Sequence, residues 1–496
     1  MKPRLDQPNP AQPDLFRPRL RDLVNPDHPL VQLAEAVDWK AFEKSLQPYF
    51  SDEGREAKPV RLMVGLQYLK YAFDHSDESV VATWVENPYW QYFCGEVFFA
   101  YEPPIDPSSM TRWGGYLKEA GVEEMLAETI RTGLRGGLIK PADLQRVNVD
   151  TTVQEKNVRF PTDARLLDRS RERLVKRARA HGIVLRQTYS RVGKRALRKH
   201  AGYAHAKQFK RARREERKLR TYLGRVMRDI ERKRNGALGV LQEEVTKARR
   251  LLTQKRTDSN KLYSLHEPQV ECIAKGKAHK RYEFGCKASF VTSAKSNWIL
   301  GAQAFHGNPY DGHTLAAALA QSERLTGALA RQAVCDLGYR GHGYTGACDV
   351  QIVKRRRKAI PRAMRRWWKR RSAIEPVIGH VKAESRMDRN RLAGERGDRL
   401  NAILSACGFN LRKLLRGVCQ FLPFLALFVP ASKGRLGAGE RRLGRSRMIQ
   451  PAPSPCHLRG RRVFQHRLII IGPLIASYSP AQMALASHAI RFALNV

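Results

Sequence analysis

The sequence predicts an α/β protein: a mixed β-sheet core carrying a long basic helical insertion, preceded by an all-helical N-terminal domain. Three observations predict it. Apolar residues recur at helical spacing from Pro59 onward, with Val60, Met63, Val64, Tyr68 and Tyr71 on one face. At Gln145 the pattern switches to alternation, with Val147, Val149 and Val153 set against Asn148, Asp150 and Thr152. Between that strand and the next strand-like stretches runs a basic segment without proline from Pro161 to Pro268, which holds 31 Lys/Arg against 8 Asp/Glu from Arg165 to Arg256.

Taken in order, residues 1–57 hold seven prolines before residue 30 and little periodicity, and are expected as an extended N-terminal arm. The helical N-terminal domain spans 58–140. Pro59 suits a first turn, Val80, Val81, Trp84 and Val85 form a second apolar face, Asn87-Pro88 opens a third helix closed by Gly95, and Asp106-Pro107 opens a fourth. Such a domain either packs against its neighbour or reads DNA ends in helix-turn-helix fashion, and short helices alone do not decide between the two. The core is expected over 145–417, its first strand placing Asp150 on the polar face near the strand end. The insertion, about 165–258, keeps a helical stripe at Leu219, Leu223, Val226 and Ile230. Its charge excess favours an arm lying along nucleic-acid phosphates over a merely solvated hairpin.

Strand-like stretches return at YEFGCKASFVTSA (282–294) and WILGAQAFH (298–306). The turn GNPYDG leads into a helix from Leu315 to Leu325, followed by QAVCD (332–336), the loop LGYRGHGY, DVQIV (349–353) and a helical region around Glu375. A strand with Asp, strands, a helix, a strand with Asp, a strand and a helix with Glu is the order of a ribonuclease-H-like fold with a helical insertion after its first strand. Residues 418–496 are expected as a basic C-terminal tail, unstructured or a read-through extension.

The net charge of +44 over 496 residues and a pI near 10.5 argue for a polyanionic partner. The apolar runs FLPFLALFVP (421–430) and LIIIGPLIA (468–476) are too short to span a bilayer, and MKPRLDQPNPAQPDLF lacks the apolar segment of a signal peptide. No membrane is therefore expected, and nucleic acid is the better partner. Eight cysteines without a CxxC pair or Cys/His ligand spacing read as reduced cytoplasmic thiols, with zinc not expected.

Three acids stand out. Asp150 and Asp336 each follow a predicted strand pattern, and Glu375 stands alone after a stretch, Val350 to Ile374, with 11 Lys/Arg and no acid. Two-metal phosphoryl transfer needs convergent carboxylates, and Mg²⁺ prefers such oxygen donors. Plainer readings exist: a strand-end Asp is commonly a turn former, and Ser372-x-x-Glu375 is a capping box. Pro376 favours a kink or helix start at Glu375. On one ideal helical wheel Trp368, Arg371, Glu375 and Lys382 fall within about 60° of one another.

Those four residues read W-x2-R-x3-E-x6-K, which resembles the Tyr-x2-Arg-x3-Glu-x6-Lys signature of bacterial insertion-sequence transposases with an Asp-Asp-Glu site. RRSAIEPVIGHVKAESRMDRNRL resembles the C-terminal motif of the insertion-sequence-5 family in particular. VNVDTTVQEKNVRFPTDARLL, KLYSLHEPQVECIAKGKAHKRYEFGCK, GNPYDGHTL, CDLGYRGHGY and the N-terminal ESVVATWVENPYWQYFCGE are similar to the same family, in order, across roughly residues 40 to 417. The resemblance implies a bacterial DNA transposase with a ribonuclease-H-like core, cytoplasmic and nucleoid-associated when on DNA. It implies Asp150, Asp336 and Glu375 as the metal-binding triad for two Mg²⁺ ions, with Mn²⁺ an alternative. Arg371 and Lys382 would contact DNA near the reacting phosphate, with Trp368 and Arg340 as further DNA-binding residues. Water would cut the transposon end, and the freed 3′-hydroxyl would attack target DNA without a covalent enzyme intermediate. Terminal inverted repeats and target DNA are the implied partners, and a homo-oligomer on paired ends the implied assembly. Two departures stand in the motif: Trp368 replaces the signature tyrosine, and Leu337 occupies a position where the family usually has arginine. The alternatives are a catalytically inactive, transposase-derived DNA-binding protein and a metal-dependent nuclease without strand transfer.

Overall fold

The computed structural model describes residues 17–50, 56–233, 240–255, 257–258, 261–274, 280–353 and 362–426. It divides into two compact units, Met1–Leu422 and Pro423–Val496. Most of the expected tail, 427–496, and the first sixteen residues of the expected arm lie outside the described residues.

Residues 17–50 are helical rather than an extended arm: α1 (Leu20–Leu23), α2 (Pro29–Ala36) and α3 (Trp39–Leu46) bury Leu20, Leu30, Leu33, Phe42 and Leu46. The proline that reads as a breaker is the first residue of α2, where its missing N–H is not needed, and His28 caps that helix through its ring. Asp38 caps α3 by accepting from the Ala41 N–H at 3.0 Å. Helices of eight residues complete barely two turns, too few for periodicity to show.

Next come α4 (Val60–Ala72), α5 (Asp77–Glu86), α6 (Pro88–Phe93), α7 (Ser108–Tyr116) and α8 (Lys118–Arg135). α4 is buried almost all round, so it is the centre of the helical region and not an amphipathic surface helix. One hydrophobic core continues from α2 through α8 into the sheet and the helices behind it. The region 58–140 thus shares its core with the sheet.

The sheet begins with β1 (Arg146–Glu155). The insertion follows as α9 (Asp163–Ala180), α10 (Ser190–His205), α11 (Phe209–Lys233) and α12 (Val240–Thr253). It has a core of its own, to which Leu167, Leu174, Leu219, Leu223, Ile230 and Leu251 contribute. Then come β2 (Glu271–Ile273), β3 (Glu283–Ser293), β4 (Ile299–Phe305), α13 (Leu315–Thr326), β5 (Gln332–Cys335), β6 (Asp349–Ile352), α14 (Arg362–Arg371), α15 (Ile374–Glu384) and α16 (Gly394–Ala426). The strand order is β2-β3-β1-β5-β6, with β4 also paired to β3. β1 is antiparallel to β3 and parallel to β5, and β5 is parallel to β6.

Two expectations change. Asp150 is the fifth residue of a ten-residue strand, not near its end, because the strand continues through buried Thr151, Thr152 and Gln154. α14 and α15 are separate helices broken at Ser372 and Ala373, so the four motif residues do not share one wheel. The break is the one Pro376 asks for: proline is tolerated in a first turn and not in the middle of a longer helix. Among the described residues no helix is long and apolar enough to cross a membrane.

Candidate active site

Strand register brings the two aspartates together. Asn148 in β1 lies level with Val334 in β5, in parallel pairing. Two steps further along each chain are Asp150 and Asp336, on the same side of the pleat. Asp336 is the first residue after β5, and its Oδ1 accepts from the Gly338 N–H at 2.9 Å. Asp150 likewise accepts from the Thr151 N–H through Oδ1 at 2.8 Å. In both, one oxygen is tied to backbone and the other faces the site.

Glu375 arrives on the first turn of α15, which packs against β1. The capping box does not form: the Ser372 hydroxyl donates to the Lys369 carbonyl at 2.8 Å, and α15 has no side-chain cap. Glu375 is left 63% exposed, its carboxylate turned to the site.

One guanidinium joins all three acids. Arg371, the last residue of α14, places Nη2 2.8 Å from Asp150 Oδ2 and 3.3 Å from Asp336 Oδ2, with Nη1 3.2 Å from Glu375 Oε1. Its position is fixed from behind. Arg370 donates from Nε to the Ala294 carbonyl at 2.8 Å, and Asn148 donates to the Arg370 carbonyl at 3.3 Å. Three carboxylates around one cation leave a surplus of negative charge at a surface-accessible point.

A second layer was not anticipated. Asp311, in the GNPYDG turn, accepts from the Thr151 hydroxyl at 2.8 Å and pairs with buried Lys287 at 2.8 Å. A Cβ at Gly338 would sit 3.0 Å from Asp336 Oδ1 and 3.2 Å from Asp311 Oδ2, so glycine is what allows these two carboxylates to flank that turn. The quoted turn was the sole sequence signal for Asp311. Burial, reinforced by Asp336 and Asp150, pushes the Cys335 thiol up, so it stays protonated beside the site and is no nucleophile.

The remaining expected DNA-binding residues lie around this centre. Trp368, on α14, is half-buried with its indole N–H buried and without a hydrogen-bond partner. Lys382 is in the last turn of α15. Arg340 is exposed in the loop after Asp336, its carbonyl accepting from the Tyr310 hydroxyl at 2.7 Å.

A different polar cluster lies at the far end of β1. Cys286, His306 and Asp398 bring ligand-type atoms within 4.8 Å of one another, although their sequence spacing suggests no metal site. Asp398 is already engaged: Lys156 Nζ lies 2.8 Å from Oδ1, Asn390 donates to Oδ1 at 2.6 Å, and His306 Nε2 lies 3.1 Å from Oδ2. Lys156 also pairs with Glu267 at 3.2 Å. Burial and Asp398 push the Cys286 thiol up, the wrong direction for a thiolate ligand.

Two family models match the chain: a transposase domain (DUF772) over residues 18–114 and a transposase DDE domain over residues 253–411. The second covers Asp336, Arg371 and Glu375, while Asp150 and most of the insertion precede it. A protein of Rhizobium meliloti, named uncharacterized protein ORF8 in nfe locus, is 48% identical over 206 residues, which are 42% of this chain and 100% of its own. The two family-model matches support a DDE transposase. They support an insertion-sequence transposase; transposases act on DNA, and DDE transposase domains generally use divalent metal ions. No solved structure matches it.

Proposed function

We propose that this transposase is of the insertion-sequence-5 family, cutting transposon ends and joining the freed 3′-hydroxyl to target DNA, with Asp150, Asp336 and Glu375 as its metal-binding triad. The observation that carries the reading is the convergence of three acids, from β1, the end of β5 and α15, on a single guanidinium. The sheet order supports a ribonuclease-H-like core: β4-β3-β1 antiparallel, then β5 and β6 parallel to β1, with helices following.

The donor set fits Mg²⁺, with Mn²⁺ as substitute. All the donors are carboxylate oxygens, three of them meet Arg371 among the described residues, and Arg371 stands where a cation is favoured. When bound, a pair of such ions would activate the attacking oxygen and offset charge on the leaving oxygen. The protein's residues do the rest. Asp150 and Asp336 are held by their backbone hydrogen bonds and by the sheet, so their spacing is set before DNA arrives. Glu375, on an exposed helix start, is free to adjust. Arg371, once its carboxylates are otherwise neutralised, has a planar fork suited to a phosphate's two oxygens. Trp368 keeps the stacking face of the signature tyrosine without its hydroxyl. Leu337, 43% exposed, leaves one position near the site without a phosphate-binding charge.

Terminal inverted repeats, target DNA, a homo-oligomer on paired ends and a cytoplasmic, nucleoid-associated location belong to the same proposal. The test uses a DNA fragment with the element's own ends and Mg²⁺, comparing the wild-type protein with Glu375→Gln. Cleavage and strand joining by wild type alone, with equal DNA binding by both, is the expected result. Cleavage without joined product would make the chain a nuclease. Binding without cleavage by either would make it an inactive DNA-binding relative.

A further inference from the structure

The segment that leaves β1 does not run straight into the helical insertion's core. Its residues 158–162 help to line an open groove of about 1380 Å³, together with α9, α10 and the stretch 263–266. Eight Lys or Arg line this groove against two acids. Both acids are already engaged: Asp168 by buried Arg171 at 2.7 Å, and Glu172 by Arg169 at 3.0 Å. Lys176 and Arg177 on α9 and Lys194 and Arg198 on α10 are exposed, and none of the four has a salt bridge among the described residues.

The groove is built and not a chance gap between solvated helices. Arg165, Arg169, Arg173 and Arg177 recur every fourth residue and so form one stripe along α9, and Lys194 and Arg198 repeat that spacing on α10. The two helices are locked at close range. Arg171 bonds both Asp168 and the Thr188 carbonyl, and a Cβ at Gly193 would sit 2.7 Å from Asp168 Oδ1. The insertion's separate hydrophobic core lies behind them. Exposed Phe160, set edge-on against Phe284, is among the residues that line the groove.

We propose that this groove is a second DNA site, holding the phosphate backbone of a duplex whose reacting phosphate lies at the triad. It rests on the transposase reading above and adds to it a surface remote from the chemistry. Four exposed cations without a salt bridge among the described residues, Lys176 and Arg177 on α9 and Lys194 and Arg198 on α10, suit a line of phosphates and read no base edges, so the site positions DNA without choosing sequence. From Asp150 to Glu155 the strand advances roughly 17 Å, or about five base pairs of DNA, before the chain reaches the groove. The groove therefore grips DNA beyond the reacting phosphate rather than at it.

The test is a four-fold charge reversal, Lys176→Glu, Arg177→Glu, Lys194→Glu and Arg198→Glu, in the full chain, with thermal melting to verify the fold. Binding of a random-sequence duplex of about 40 base pairs is followed against salt concentration. Losing four phosphate contacts should reduce the slope of log K on log salt by about 3 to 4, and weaken binding at low salt at least about tenfold. A photoreactive duplex on the wild type should cross-link to peptides carrying α9 and α10. An unchanged slope with cross-links elsewhere would overturn the groove while leaving the transposase reading intact. Wild-type protein that fails to bind DNA at all would overturn both. Tighter binding of an RNA duplex of equal length would overturn the assignment to DNA. Glu375→Gln should keep the wild-type slope, which separates this site from the triad.

Discussion

Two clusters of acids are served by the same strand, and they solve opposite problems. At the middle of β1, Asp150 meets Asp336 and Glu375 around one arginine, with Asp336 39% and Glu375 63% exposed. At its far end, Lys156 sits between Asp398 and Glu267, with His306 and Asn390 completing the bonds, and Lys156 and Asp398 are 3% and 4% exposed. The buried cluster sets Lys156 between two carboxylates and gives them further hydrogen-bond partners, as burial demands. The open cluster gathers its three carboxylates around Arg371 where solvent, ions and a phosphate can reach them. Acids left open to solvent suit function, and acids tied to partners out of water suit architecture.

That contrast can be broken in several places. The largest effect is expected at the open cluster. Asp150→Asn, Asp336→Asn or Glu375→Gln should each lower end cleavage by about 10³-fold or more, since metal binding contributes several kcal/mol to such reactions. Glu375→Gln should leave the unfolding midpoint where it was, because an exposed ion pair adds little stability. A cleavage rate within tenfold of wild type would remove Glu375 from the triad.

At the buried cluster the signs reverse. Lys156→Met strands Asp398 and Glu267 without their cation, and should destabilise the fold by about 3–5 kcal/mol in denaturant unfolding. Adding Asp398→Leu should recover part of that loss. Less than about 1 kcal/mol for the single variant would show that the cluster is no structural latch.

A third experiment sharpens what Arg371 does before metal arrives. Its guanidinium competes with any divalent ion for the same carboxylates, so Arg371→Gln should tighten Mn²⁺ binding to the DNA-free protein, by roughly tenfold, while cleavage falls. Paramagnetic resonance of free Mn²⁺ measures the first effect. Unchanged or weaker Mn²⁺ binding would show that Arg371 does not stand in for the ion.

The smallest effect concerns a half-buried cation that has no salt bridge among the described residues and only the weaker pull of Asp143 to offset its desolvation. Lys413 lies over the Trp298 ring at 4.7 Å and donates to the Ser296 carbonyl. Burial, with Arg416 adding to it, lowers its pKa from the usual 10.5 to about 8. At pH below about 8 the buried charge weighs against folding, and above 10.5 the group is neutral in both states. Stability of the wild type relative to Lys413→Met should therefore rise with pH between about 8 and 10.5, by on the order of 1 kcal/mol, in pH-dependent unfolding.

Much of the architecture was legible beforehand where a pattern was long. The strands at 282–294 and 298–306, the helix from Leu315 and the basic helical insertion all lie close to where periodicity puts them. Short elements were not legible. α2 and α3 were hidden among prolines, and the three-residue β2 left no alternation to read. Within the site, Asp150, Asp336 and Glu375 were singled out by strand and helix position together with the motif, whereas Asp311 and Lys287 were missed, because an acid in a turn and a lysine in a strand look ordinary until the fold sets them 2.8 Å apart.

The sequence by itself determined the charge balance, the alternation of strands and helices, and the types of side chain available, because composition and local periodicity are properties of neighbours along the chain. Only the tertiary structure decided which acids meet. Parallel register between β1 and β5 sets Asp150 beside Asp336, the break before α15 swings Glu375 in, and Arg371 closes the group. Electrostatic energy depends on distance through space and on exposure to water, and neither is a property of position along the chain.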